Sequence, residues 1–152
     1  MIAGKLEAER AEPALEAAAL LSEPLKPDPS LLDALPQALQ QRSADVAAAR
    51  VRLGDGANGD WANAMSVLKR WPSSPAAWQL QWDLAREALL NDQWKTAEAL
   101  LNAIPSSDLS EPLAARQQCW LGLALAKQDR TAQAQNIWEK LVKTHPRSYY
   151  TW

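Results

Sequence analysis

Apolar positions in the second half of the chain recur at helical steps. Between Ser74 and Leu90, Trp78, Trp82, Ala85 and Leu89 fall on one stripe, as on one side of a helix with 3.6 residues per turn. Ser74 suits the capping position, and Pro75 suits the first turn, where its missing N–H costs nothing. A partner helix is expected from about Lys95 to Ala103. Ser110 or Asp108 then starts a helix with Leu113, Gln117, Trp120, Leu121, Ala124 and Leu125 on one face. Its partner carries Ala134, Ile137, Trp138, Leu141 and Val142 at i, i+3, i+4, i+7 and i+8. Short links between such helices make neighbours antiparallel.

The pattern also repeats over a longer interval. Ala62-Asn63-Ala64, Ala97-Glu98-Ala99 and Ala132-Gln133-Ala134 share an A-x-A form, spaced 97 − 62 = 35 and 132 − 97 = 35 residues apart. Each follows a polar turn, and each helix stops at a proline: Pro72, Pro105 or Pro146. A period of ~20 to 50 residues marks stacked helical units that cannot bury their faces alone. The expected fold is therefore all-α, a right-handed α-solenoid of antiparallel helix pairs over residues 42–152 that continues beyond the chain end. Residues 1–41 read as irregular, because Pro13, Pro24, Pro27, Pro29 and Pro36 cut them into short pieces. Short helices are expected near Ala14–Leu21 and Leu31–Gln40. A better one spans Ser43–Leu53, with Val46, Ala49, Arg50 and Leu53 in step; it ends at the turn-forming GDGANGD loop.

Composition supports helix and narrows function. Hydrophobic residues make up 47% and charged residues 22%, proportions of a packed chain rather than a disordered tail. Gly is sparse at five, and the aromatic set is eight Trp, two Tyr and no Phe. Net charge is −2 with both signs interleaved, so there is no positive face for nucleic acid. The longest apolar run of the N-terminal segment, Ala17–Leu21, is too short for a membrane span, and Glu and Arg interrupt what a signal peptide would keep apolar.

Candidate chemistry is thin. His145 is the only histidine and Cys119 the only cysteine; the first suits a helix C-terminus, the second a packing position. Glu98, Glu111 and Glu139 fall on separate helices, without the paired carboxyls that sugar hydrolysis requires. GDGANGD lacks the ligand order of a calcium loop. No catalytic, cofactor or metal residue is assigned. Trp120 and Trp138 are expected in the core. Trp61 and Trp94 stand at turns, where covering a helix end and stacking against a sugar ring both suit an indole. Tyr149, Tyr150 and Trp152 are expected to open the first helix of a following unit and to expose apolar area without it.

The last unit resembles a tetratricopeptide repeat: Leu121-Gly122, Ala134, Trp138, Leu141 and Pro146 fall in that motif's register. Small Gly122 and Ala134 suit a close helix crossing, with Trp138 and Leu141 filling the space beyond. The earlier units depart from it, with Val51-Arg52 and Arg86-Glu87 in place of Leu-Gly. More narrowly, residues 62–152 are similar to the superhelical region of soluble lytic murein transglycosylases. The W-L-G-x-A-L stretch at Trp120–Leu125 and the P-x-S-Y-Y-x-W stretch at Pro146–Trp152 carry that likeness. It implies a non-catalytic scaffold that positions a catalytic domain or glycan, with peptidoglycan and C-terminal repeats or a catalytic domain as partners, in the periplasm or cell envelope. The family's catalytic Glu-Ser pair is absent from this chain. The alternative is a free-standing tetratricopeptide-like adaptor for a peptide or protein, with the cytoplasm as the alternative location.

Overall fold

The computed structural model describes residues 29–53 and 61–151. The expected helix near Ala14–Leu21, the GDGANGD loop and Trp152 lie outside them. The described residues are helical without a strand, in the order α1 (Pro29–Asp33), α2 (Gln37–Arg42), α3 (Ala44–Leu53), α4 (Trp61–Arg70), α5 (Pro75–Leu90), α6 (Trp94–Leu101), α7 (Glu111–Ala126) and α8 (Thr131–Thr144). Short 3-10 turns at Ser106–Asp108 and Tyr149–Thr151 follow α6 and α8. The architecture is that of a helical solenoid. The chain divides into two compact units, Met1–Val67 and Leu68–Trp152.

In the first unit, α3 packs on α1 and α2. Leu32, Leu35, Val46 and Ala49 form a small buried cluster with Leu53 against it. The expected helix Leu31–Gln40 is two helices, interrupted at Ala34–Pro36, because the proline ring disfavours helix in the residue before it. Ser43 caps α3, its Oγ accepting from the Val46 N–H at 3.4 Å. Arg50, expected on the apolar stripe, instead points outward to Asp33 at 2.8 Å.

In the second unit each helix packs on the next: α5 on α6, α6 on α7, α7 on α8. Ser74 is extended before α5 with Pro75 in its first turn, and Ser110 stands in the same way before α7, which has Pro112 in its first turn. Neither serine makes a side-chain cap bond, so the extended backbone and the proline set these starts. The hairpin turns share one backbone solution. Asp92 and Asp129 take left-handed φ values of 57° and 60°. Gln93 N–H reaches Ala88 O at 2.8 Å and Asp92 N–H reaches Leu89 O at 3.3 Å; Arg130 to Leu125 and Asp129 to Ala126 repeat this at 3.1 Å each. That double bond pattern satisfies the last carbonyls of α5 and α7.

The turns correct the repeat interval. Ala64, Ala97 and Ala134 are each the fourth residue of their helix, and all are buried. Their spacings are 97 − 64 = 33 and 134 − 97 = 37, not 35 twice. The A-x-A triplet offers two alanines two residues apart, so a sequence match takes either, while the helix crossing accepts only one.

The core of this unit is small-residue rich. Ala77, Leu80, Leu84, Ala85 and Ala88 of α5 and Leu100, Leu101 and Ile104 at the end of α6 are buried, with Ala114, Ala115, Ala124 and Leu141 beyond. Trp120 and Trp138, expected in the core, are partly exposed. Val142, expected on the apolar stripe, is 52% exposed. Gly122 is the close approach: a Cβ there would meet the Trp138 indole Nε1, whose N–H donates to Cys119 O at 3.1 Å.

Candidate interaction surface

Two buried glutamines define the floor of a groove in the second unit. Gln81 of α5 donates from Nε2 to Leu100 O at 2.9 Å and Leu101 O at 3.2 Å. Gln117 of α7 donates from Nε2 to Leu101 O at 2.5 Å and Ile104 O at 2.7 Å. Carbonyls at a helix end lack helical partners: Leu101 O and, just past α6, Ile104 O take their donors from the flanking helices, while Leu100 O adds Gln81 to the Ala103 N–H at 3.1 Å. Both amide protons of each glutamine are thereby committed, which suits their burial.

Above this floor, α5 contributes Trp78 and Trp82, α7 contributes Leu113 and Arg116, and the link between them contributes Leu109. The groove is shallow and open to solvent, with about 10 Å³ of enclosed space. The Trp78 Nε1–H is taken by Pro72 O at 2.7 Å. Arg116 lies 4.1 Å from the Trp82 ring centroid, a stacked cation–π contact. Trp82 and Trp120 rings are 6.0 Å apart and tilted by 52°, so Arg116, Trp82 and Trp120 form a continuous strip across α5 and α7. Trp120 Nε1 is buried without a partner. Burial pushes the Arg116 guanidinium down from its ordinary value, while nearby Tyr150 and Asp83 pull it back up; arginine remains a cation at neutral pH.

The other predicted contact residues are separate from this strip. Trp61 and Trp94 are the first residues of α4 and α6, both half-buried, and Lys127 Nζ lies 5.7 Å over the Trp94 ring. Tyr149 is 85% exposed and meets the half-buried Tyr150 edge-on at 5.4 Å, in a turn packed on α7 and α8. Sequence reading missed Arg116 as a member of any site. The available signal was a cation three residues after Leu113 and four before Trp120, inside an otherwise apolar stripe.

The residues considered for chemistry do not converge. Glu98 accepts from Arg130 Nη1 at 2.7 Å and from Gln128 Nε2 at 2.9 Å, tying α6 to the α7–α8 turn. His145 Nδ1 stands 3.5 Å from Glu111 Oε1, and Glu139 is exposed. The Cys119 thiol is pushed up by burial, which keeps it protonated rather than nucleophilic. Among the described residues no cluster of His, Cys, Asp and Glu is arranged for a metal, and no helix is long and apolar enough to cross a membrane.

Compared with known families, residues 120–148 match a tetratricopeptide repeat. That stretch holds the Gly122–Trp138 contact, the left-handed Asp129 turn and Ala134. No curated protein and no solved structure matches the chain.

Proposed function

We propose that the chain is a non-catalytic, tetratricopeptide-like scaffold that docks a protein partner on the exposed side of α5 and α7. The observation that carries this reading is the strip of Trp82, Arg116 and Trp120. Large aromatic and arginine side chains in contact across two helices, beside an open groove, are the residues that anchor protein interfaces. Selection of short random displayed peptides on the purified chain tests it. Enriched peptides should shift amide NMR signals of α5 and α7. No enrichment, or shifts confined to the outer side of α8, overturns it.

A second reading has support of its own in the order of Trp120–Leu125 and Pro146–Trp152. On it, the chain is the superhelical segment of a peptidoglycan lytic transglycosylase in the cell envelope. Tyr149, Tyr150 and Trp152 then lead into a further repeat or catalytic domain, and Trp61 and Trp94 are the glycan contacts. Reading the coding sequence past Trp152 tests this. A helical continuation with a Glu-Ser-bearing domain supports it, and a stop codon removes it. Retention on purified peptidoglycan that Trp61→Ala with Trp94→Ala leaves unchanged removes the glycan role of those indoles.

A further inference from the structure

The groove between α5 and α7 is lined by one charged side chain. Among the residues that line it, Arg116 alone is ionised; the others are Trp, Leu and Gln. Its guanidinium makes no hydrogen bond and no ion pair among the described residues, although it is only half-exposed and one face is covered by Trp82 at 4.1 Å. Asp83 and Tyr150 are near enough to influence its charge, yet neither pairs with it. The neighbouring amide donors are spent: those of Gln81 and Gln117 on the α6 carbonyls, and that of Trp78 on Pro72 O. A partly desolvated cation whose donors no described residue takes can receive a partner, and a planar carboxylate fits its fork in two-point fashion.

Size decides what carries that carboxylate. With about 10 Å³ of enclosed space, the groove falls far below the ~300 to 1,000 Å³ of a typical small-molecule site. It is a shallow surface that side chains of a partner can lie across. A single cation next to apolar rings and leucines matches a single negative charge next to an apolar group. Resting on the docking reading above, we propose that Arg116 binds the side-chain carboxylate of an internal Asp or Glu in a peptide partner. An adjacent aliphatic residue of the peptide packs against Trp78, Leu109 and Leu113. The stacked indole holds the guanidinium plane in place, so less side-chain freedom is lost on binding.

The test uses the whole chain and the random peptide library, selected in parallel on wild type, Arg116→Gln and Arg116→Lys, after circular dichroism shows all three folded. Wild type should enrich peptides with Asp or Glu beside Leu, Ile or Val. Arg116→Gln should bind the leading peptide about tenfold more weakly, as for the loss of a charge-assisted bidentate pair. Arg116→Lys, which keeps the charge but not the fork, should fall between. Changing the peptide's acid to its amide should cost wild type a similar factor and cost Arg116→Gln almost nothing. Peptides enriched without an acid overturn the inference and leave the docking reading standing. So does equal binding of acidic peptides by Arg116→Gln. Dependence on the peptide's free C-terminus instead of its internal acid also overturns it. A library that yields no binder takes down the docking reading itself.

Discussion

At one register position, 37 residues apart (122 − 85 = 37), the α5–α6 hairpin has Ala85 and the α7–α8 hairpin has Gly122. At the facing position the first has Leu101 and the second Trp138 (138 − 101 = 37). The two hairpins share the left-handed aspartate turn, the proline in the first turn and the fourth-residue alanine. They differ in how volume is divided between the helices: more on α5 and less on α6, none on α7 and an indole on α8. The backbone register is thus held by turns and small residues, and the filling is free to trade across the interface. They differ again at their ends. The short α6 is clasped by Gln81 and Gln117, whereas α8 runs on to Thr144, whose Oγ1 donates to its own Lys140 O at 2.9 Å.

The trade can be broken most directly at its smallest member. Gly122→Leu should cost about 3 kcal/mol, because the new side chain has to displace the Trp138 indole from a packed crossing. Ala85→Gly, which moves the first hairpin toward the second, should cost only about 1 kcal/mol through helix entropy and lost contact. Combining Gly122→Ala with Trp138→Leu copies the filling of the first hairpin into the second. It should recover most of what Gly122→Ala alone loses, as neighbouring sites are non-additive. Thermal unfolding followed by far-UV circular dichroism reads all of these. An unchanged midpoint for Gly122→Leu breaks the close-approach account.

The glutamine clasp comes next in size. Gln117→Leu strips Ile104 O of its donor and leaves Leu101 O to Gln81, a loss of about 2 kcal/mol for a buried carbonyl without a partner. Gln81→Leu should cost less, because Leu100 O keeps the Ala103 N–H at 3.1 Å and Leu101 O keeps Gln117. Since the two glutamines share Leu101, the double variant should exceed the sum of the singles by about 1 kcal/mol. Denaturant midpoints that add without excess show that the shared carbonyl is not what couples α5 to α7.

Turn chemistry gives a smaller and opposite effect. Asp92 and Asp129 sit in the left-handed region that glycine enters freely. Asp92→Gly and Asp129→Gly should each stabilise by about 1 kcal/mol, and equally, if the two turns are the same device. A gain at one and a loss at the other ends the equivalence of the hairpins.

How far the sequence revealed this follows from the same comparison. The α7–α8 hairpin was legible, because Gly122, Ala134, Leu141 and Pro146 fall at helical steps with strong punctuation, and the tetratricopeptide match covers the same stretch. The helical class of α5 and α6 was legible from period and proline alone. Their true phase was not: it depends on which alanine of a triplet faces the crossing, a packing fact that periodicity leaves open. The indoles were legible as far as direction: a residue on the apolar stripe is directed inward, and the Trp138 indole does pack on Gly122. How much of each ring stays exposed depends on the neighbour's size, which periodicity leaves open. Arg116 was invisible because its significance lies in Trp82 of another helix, 34 residues away (116 − 82 = 34). The clasp was half-visible: Gln117 fell on the predicted face, while nothing marked the α6 carbonyls as its target.

The smallest expected effect concerns what joins one hairpin to the next. Glu98 on α6 holds Arg130 and Gln128 at the α7–α8 turn; the residue at its place in the next hairpin is the exposed Gln135 (135 − 98 = 37). Glu98→Gln therefore gives the first hairpin the chemistry of the second at nearly constant volume. With side-chain exposures of 41% for Arg130 and 21% for Glu98, the pair is partly screened by water, and its removal should cost about 0.5 kcal/mol. Salt separates charge from hydrogen bonding here. Near 1 M ionic strength the screening length shrinks to about 3 Å, so the difference between wild type and variant should largely close. A difference that persists undiminished in salt means that Glu98 acts by orienting Gln128, whose amide also reaches Ala124 O at 3.0 Å, rather than by attracting Arg130. The tie between hairpins would then be a hydrogen-bond relay through the turn, and Gln128→Leu should reproduce the loss while Arg130→Ala should not.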